Sequence, residues 1–151
     1  MNLEEIESEP DHGFYAHDWL VCEIKRMPRL LHLCGYVIIP YGHPYCGKSE
    51  INCLDQIDIH GGITYSDWND FNEWKVGFDC AHSTDIVPGT MISHNFMVEY
   101  TYGDVSYKNW EYVENEIKKI AKAILINTPG EYQKEFRKTI DVRLAKYLLT
   151  L

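Results

Sequence analysis

The chain has 151 residues, 45% hydrophobic and 25% charged, with a formal net charge of −9. Duplex binding draws on Lys and Arg that neutralise phosphates, so an acidic chain without a basic run argues against a nucleic-acid partner. No apolar run approaches the roughly 20 residues that span a bilayer, and the length suits one domain.

Five cysteines without a Cys-x-x-Cys pair indicate neither a disulfide framework nor a zinc ribbon. The start, Met-Asn-Leu-Glu-Glu, lacks the basic and then apolar order of a secretory leader, so a reduced cytoplasmic protein is expected.

Residues 1–13, acidic and then turn-like, read as a loose arm. Asp18 suits the cap of a short helix running to Met27 and cut by Pro28, with Trp19, Cys22 and Leu20 or Ile24 turned inward. Leu30 to Ile39 is apolar and β-branched and stops at Pro40, as a buried strand does; residues 40–47 form a loop. A second strand is expected over Ile51 to His60, with Ile57 and Ile59 on one face and Asp58 and His60 on the other.

Gly61 and Gly62 then turn the chain into a third short strand, 63–66, followed by a polar hairpin loop at 67–72. Glu73 to Ala81 alternates, with Trp74, Val76, Phe78 and Cys80 inward and Asp79 on the polar side. Pro88 and Gly89 read as a turn before a strand over Met91 to Tyr102.

The period then changes. Ser106 is the expected N-cap of a helix whose stripe is Trp110, Val113, Ile117, Ile120, Ala121, Ile124 and Leu125, with Glu114 and Lys118 one turn apart. Thr128, Pro129 and Gly130 break it, and a second helix carries Tyr132, Phe136, Ile140, Leu144, Tyr147 and Leu148 on one stripe. Strands first and helices last predict an α+β fold, a small antiparallel sheet followed by two C-terminal helices packed on one face.

Three segments stand apart in composition: Gly42 to Pro44, Asp58 to Tyr65, and Gly77 to Asp85. Each sets His or Asp beside Gly near a strand end. Taken singly, such residues are more often turn caps than ligand contacts. Together they predict one polar site made of His43, Asp58, His60, Gly61, Gly62, Thr64, Tyr65, Asp79, His82 and Asp85, with the two glycines offering backbone N–H groups to an anion. Tyr41, Tyr45, Tyr65 and Trp68 could stack a base, and Lys48 and Lys75 are the nearest cations. Cys80 reads as a small core hydrophobe. His12, His17, His32 and His94 lack such company and receive no role.

At these residues the chain resembles a family of small proteins encoded mostly by bacteriophages and prophages. The shared pattern is Gly-Tyr-Val at Gly35, Gly-His-Pro at Gly42, Asp-x-His-Gly-Gly-x-Thr-Tyr at Asp58, Trp-x-x-Gly-Phe-Asp-Cys-Ala-His at Trp74 and then Asp85, with Trp-x-Tyr-Val-x-x-Glu at Trp110. It covers roughly residues 35–127. The resemblance implies a phage origin and a shared site, but no established reaction. By analogy, small phage proteins with a concave polar site include traps for nucleotide signals of bacterial immunity.

Two functions follow as expectations. The first is sequestration of a small nucleotide-like ligand in the infected host's cytoplasm, without a cofactor and as a homo-oligomer. The aspartates would then meet ribose hydroxyls or a base edge, and the histidines and glycines a phosphate. The alternative is a metal-dependent hydrolase in which His60, Asp79, His82 and Asp85 hold zinc or manganese. Neither His-x-His-x-Asp-His nor His-Glu-x-x-His occurs.

Overall fold

The computed structural model describes residues 3–93 and 105–151. Its elements are α1 (Leu3–Ser8), β1 (His12–His17), β2 (Leu20–Arg26), β3 (Leu33–Ile39), α2 (Asn52–Asp55), β4 (Tyr65–Trp68), β5 (Trp74–Asp79), α3 (Pro88–Ser93), α4 (Trp110–Ile126) and α5 (Gly130–Leu148). The five strands form one antiparallel sheet in the order β1-β2-β3-β5-β4, and two long C-terminal helices follow. This is the expected α+β fold.

The helix expected over 18–27 is instead half of a hairpin. Asp18 adopts φ 52 and, with Trp19, joins β1 to β2 in a two-residue connection, with His17 opposite Leu20. Asp suits a helix cap and a left-handed turn alike, and the turn prevails here. Leu20, Val21, Cys22 and Ile24 are all fully buried because β2 is covered on both faces.

On one face Leu20, Cys22, Ile24, Leu33, Val37, Ile39, Val76 and Phe78 meet Val113, Ile117, Ile120, Ala121 and Ile124 of α4. Gly35 permits the close crossing. A Cβ there would come within 2.8 Å of Val113 and 2.9 Å of Ile117. Full burial of each aliphatic side chain contributes about 1.5–3 kcal/mol, so this layer is the main source of stability.

The alternate residues Val21 and Ile38 face the other way and pack on Tyr147, with Phe14, Ile140 and Leu144 around them. The last half of α5 therefore covers the face opposite α4, and the two helices do not share one face as expected. α5 is held by Arg143, whose Nε lies 2.7 Å from Glu73 Oε2 and whose Nη1 donates to the Trp19 carbonyl at 2.7 Å. The Tyr147 hydroxyl donates to Glu73 Oε1.

Other departures are local. Of the loose arm expected over residues 1–13, the described part, 3–13, is ordered: it contains α1 and begins β1, and Glu9 accepts from the Trp110 amide at 2.6 Å and from the Tyr107 hydroxyl. Residues 51–60 form α2 and irregular chain where a strand was expected, although Ile51 and Ile59 are buried. β4 lies two residues later than expected. Pro88 and Gly89 open α3, which includes 91–93; the rest of the strand expected to Tyr102 falls outside the described residues. The N-cap of α4 is Asn109, which accepts from the Tyr112 amide, while Ser106 bridges to Asp85. Among the described residues no helix is long and apolar enough to cross a membrane.

Candidate functional site

The turn after Ile59 and the turn after β5 meet beside the start of α4. The contact is a chain of buried polar bonds. His60 Nδ1 lies 2.8 Å from the Tyr112 hydroxyl, and its Nε2 lies 2.8 Å from Asp85 Oδ2. The same Oδ2 accepts from the His82 amide at 2.9 Å, and Oδ1 sits 3.2 Å from the Lys108 ammonium. Lys108 also donates to the carbonyls of Thr84 and Ser106 and to the Ser106 hydroxyl.

The Asp85 carboxylate is fully enclosed. Burial alone would raise its pKa, but hydrogen bonds from His60, the His82 amide and Lys108 hold it below the usual carboxylate range. Asp85 is thus an anion that accepts from His60 Nε2–H. That tautomer leaves Nδ1 to accept from the Tyr112 O–H. The His60 amide donates to Glu116 on α4, and Lys119 pairs with Glu116 at 2.6 Å.

The outer layer of the site is more open. The His82 ring centroid is 5.6 Å from that of His60, and its Nε2 lies 3.5 Å from Asp79 Oδ1 without a hydrogen-bond partner. Gly61, at φ 67, makes room for it: a Cβ there would sit 2.0 Å from His82 Nε2. Asp79 accepts from the Ala81 amide and, at 3.2 Å, from the Thr64 hydroxyl. Tyr65, 40% exposed, stands edge-on to Tyr36 at 5.5 Å, and Lys75 lies 4.2 Å over the Tyr36 ring while pairing with Glu23.

Two of the three expected segments therefore converge, bringing together His60, Gly61, Thr64, Asp79, His82 and Asp85, with Gly62 and Tyr65 alongside. Asp58 is exposed; its carbonyl accepts from Lys119. Its carboxylate is among the charges that raise the Tyr112 phenol, after burial.

His43 does not join them. Its Nε2 lies 2.8 Å from the Thr128 hydroxyl, its Nδ1 accepts from the Tyr45 amide, and its ring stacks on Trp19 and Phe136. It is 4% exposed, and burial lowers its pKa to about 4. This neutral ring fills the corner between α4 and α5, so its inclusion in the site is corrected.

Of the two glycine amides expected to cradle an anion, that of Gly62 is spent within its own turn on Ile59 O at 2.8 Å, and the N–H of His60 just before them goes to Glu116. A divalent ion would have to displace the bonds of His60 and Asp85 to each other, and among the described residues no group of three His, Cys, Asp or Glu is arranged to hold one. Nor is a reactive thiol offered. Cys80 is 1% exposed with its thiol pushed up by burial, and the Cys34 thiol is pushed up to about 11 in the same way.

Sequence reasoning missed His32, Lys108 and Tyr112. His32 precedes β3 beside the end of β5, where Leu33 O accepts from the Cys80 amide. It is 6% exposed, and its Nδ1 has no hydrogen-bond partner. Burial lowers its pKa against the opposing fields of Asp79 and Asp85. Tyr112 and Glu116 stood in the Trp-x-Tyr-Val-x-x-Glu motif, which was the available signal; His32 and Lys108 had none.

The arrangement can orient groups and accept hydrogen bonds at a solvent-facing rim, above a buried polar network. No family model, no curated protein and no solved structure matches the chain.

Proposed function

We propose that this protein captures a small nucleotide-derived molecule at the rim formed by Thr64, Tyr65, Asp79 and His82, and holds it without altering it. The observation that carries this reading is the contrast within the cluster. Tyr112, His60 and Asp85 Oδ2 are joined by hydrogen bonds and Asp85 Oδ1 faces the Lys108 ammonium at 3.2 Å, whereas His82 Nε2 has no hydrogen-bond partner beside a carboxylate that keeps spare acceptor capacity. Buried polar atoms are nearly always paired, so an unpaired one at a rim marks a place for an incoming group. The exposed Tyr65 ring adds a surface on which a base can stack.

The resemblance to phage and prophage proteins supports a counter-defence role, in which the captured molecule is an immune signal of the host cell. Capture alone suffices for that role. The test is to incubate the purified chain with signalling nucleotides, remove the excess, heat the protein and analyse what is released. Intact ligand in stoichiometric amount is expected. A converted product would replace the binding reading with a hydrolase, and zinc or manganese bound one-to-one and lost in His82→Ala would identify its metal.

A further inference from the structure

The rim is richer in acceptors than in free positive charge. Lys75, Lys108 and Lys119, the ammonium groups tied to it, are each already paired with a carboxylate, at 2.7, 3.2 and 2.6 Å. The backbone amides of His60 and Gly62 are spent on Glu116 and Ile59. Against this stand the Asp79 carboxylate, 34% exposed with one donor to each oxygen, and the enclosed, unpartnered Nδ1 of His32. His32 lies within electrostatic reach of Asp79, Asp85 and His82.

We infer that the ligand is recognised through a ribose-type vicinal diol, bound by Asp79 with His82 and His32 beside it, and that its phosphate stays away from the Asp79 carboxylate. This rests on the binding reading above and narrows it. A carboxylate carries four lone-pair sites, so Asp79 can accept from both hydroxyls of a diol while keeping Ala81 and Thr64. Burial favours the neutral His32 ring, whose unpartnered Nδ1 can pair with a hydroxyl, which both donates and accepts. A phosphate in the same place would face Asp79 as a like charge, with Lys75, Lys108 and Lys119 already neutralised. Hydroxyl donation to a carboxylate is a charge-assisted bond, and a site built around it discriminates strongly against the analogue that lacks the donor.

The experiment is calorimetric titration of the whole chain with the common ribonucleosides, their 5′-monophosphates and their 2′,3′-dideoxy counterparts. A ribonucleoside is expected to bind within about threefold of its monophosphate and at least about tenfold tighter than its dideoxy form, the range that one or two charge-assisted hydrogen bonds supply. Asp79→Asn, with folding checked by circular dichroism, should erase the dideoxy discrimination by weakening the ribonucleoside at least about tenfold. A monophosphate that binds at least about tenfold tighter than its nucleoside would overturn the inference while the binding reading stands. So would a dideoxy form that binds as well as the ribonucleoside, which would assign recognition to the base. Absence of binding by every probe would overturn both.

Discussion

His60 Nε2 and Asp85 Oδ2 lie 2.8 Å apart and join two turns separated by 25 residues of chain. Asp85 also serves the His82 amide and Lys108, so one carboxylate ties the two turns to the start of α4. Asp85→Ala strands a buried ammonium and an imidazole N–H, and should destabilise the fold by about 3–5 kcal/mol in urea denaturation. Its depressed pKa means that its contribution is complete above its ordinary value of 3.8 and is lost as the pH falls through the lower folded value. Asp85→Asn should remove that part of the acid sensitivity.

Gly61 and Gly62 both have positive φ but differ in what surrounds them. A Cβ on Gly61 would strike His82, whereas a Cβ on Gly62 would meet nothing within 4 Å. Gly62→Ala should cost only the backbone strain of roughly 1–2 kcal/mol. Gly61→Ala should cost more and should also displace the His82 ring, visible as a shift of its imidazole resonances. Equal effects would argue against the close packing of His82 on Gly61.

The parts of the fold legible in the sequence were those where one face is buried and the period is clean. Trp74, Val76 and Phe78 alternate through β5, and Val113, Ile117, Ile120 and Ile124 repeat through α4. The β1–β2 hairpin was hidden because β2 is buried on both sides, which erases alternation, and because Asp18 carries equal signals for cap and turn. In the site, local Gly–His–Asp grouping located the two turns but could not show how each side chain is spent. His43 shares the composition of the others, yet Trp19, Phe136 and Thr128, distant in sequence, claim its ring. His32 was passed over because only the strand pairing brings it beside Asp79.

His43 titrates at about 4 in the fold against 6.5 in the unfolded chain. Between those values the unfolded state binds more protons, so stability rises with pH across this window and is complete above it. The full difference for His43 is roughly 3 kcal/mol. His17 and His32 are lowered by burial as well, so His43→Gln should reduce, not abolish, the gain in stability between acid and neutral pH measured by denaturation. Ligand affinity should be unaffected by this change.

Glu9 fixes the N-terminal segment to the first turn of α4. Its carboxylate is 9% exposed, pairs with Arg26 at 3.2 Å and accepts the Trp110 amide. A carboxylate on a helix N-terminus and a buried ion pair act together here, so Glu9→Ala should cost about 2–4 kcal/mol in urea denaturation. A change below about 0.5 kcal/mol, typical of surface substitutions, would return residues 3–9 to a loose arm.

Whether a bound nucleotide meets His82 beside Asp79 is read from the imidazole carbon–proton NMR spectrum of the chain with and without it. The His82 resonances, and those of His32 behind it, are expected to move on binding while those of His43 stay in place. Saturable binding that leaves His82 and His32 unmoved, or that shifts His43 instead, would contradict that placement.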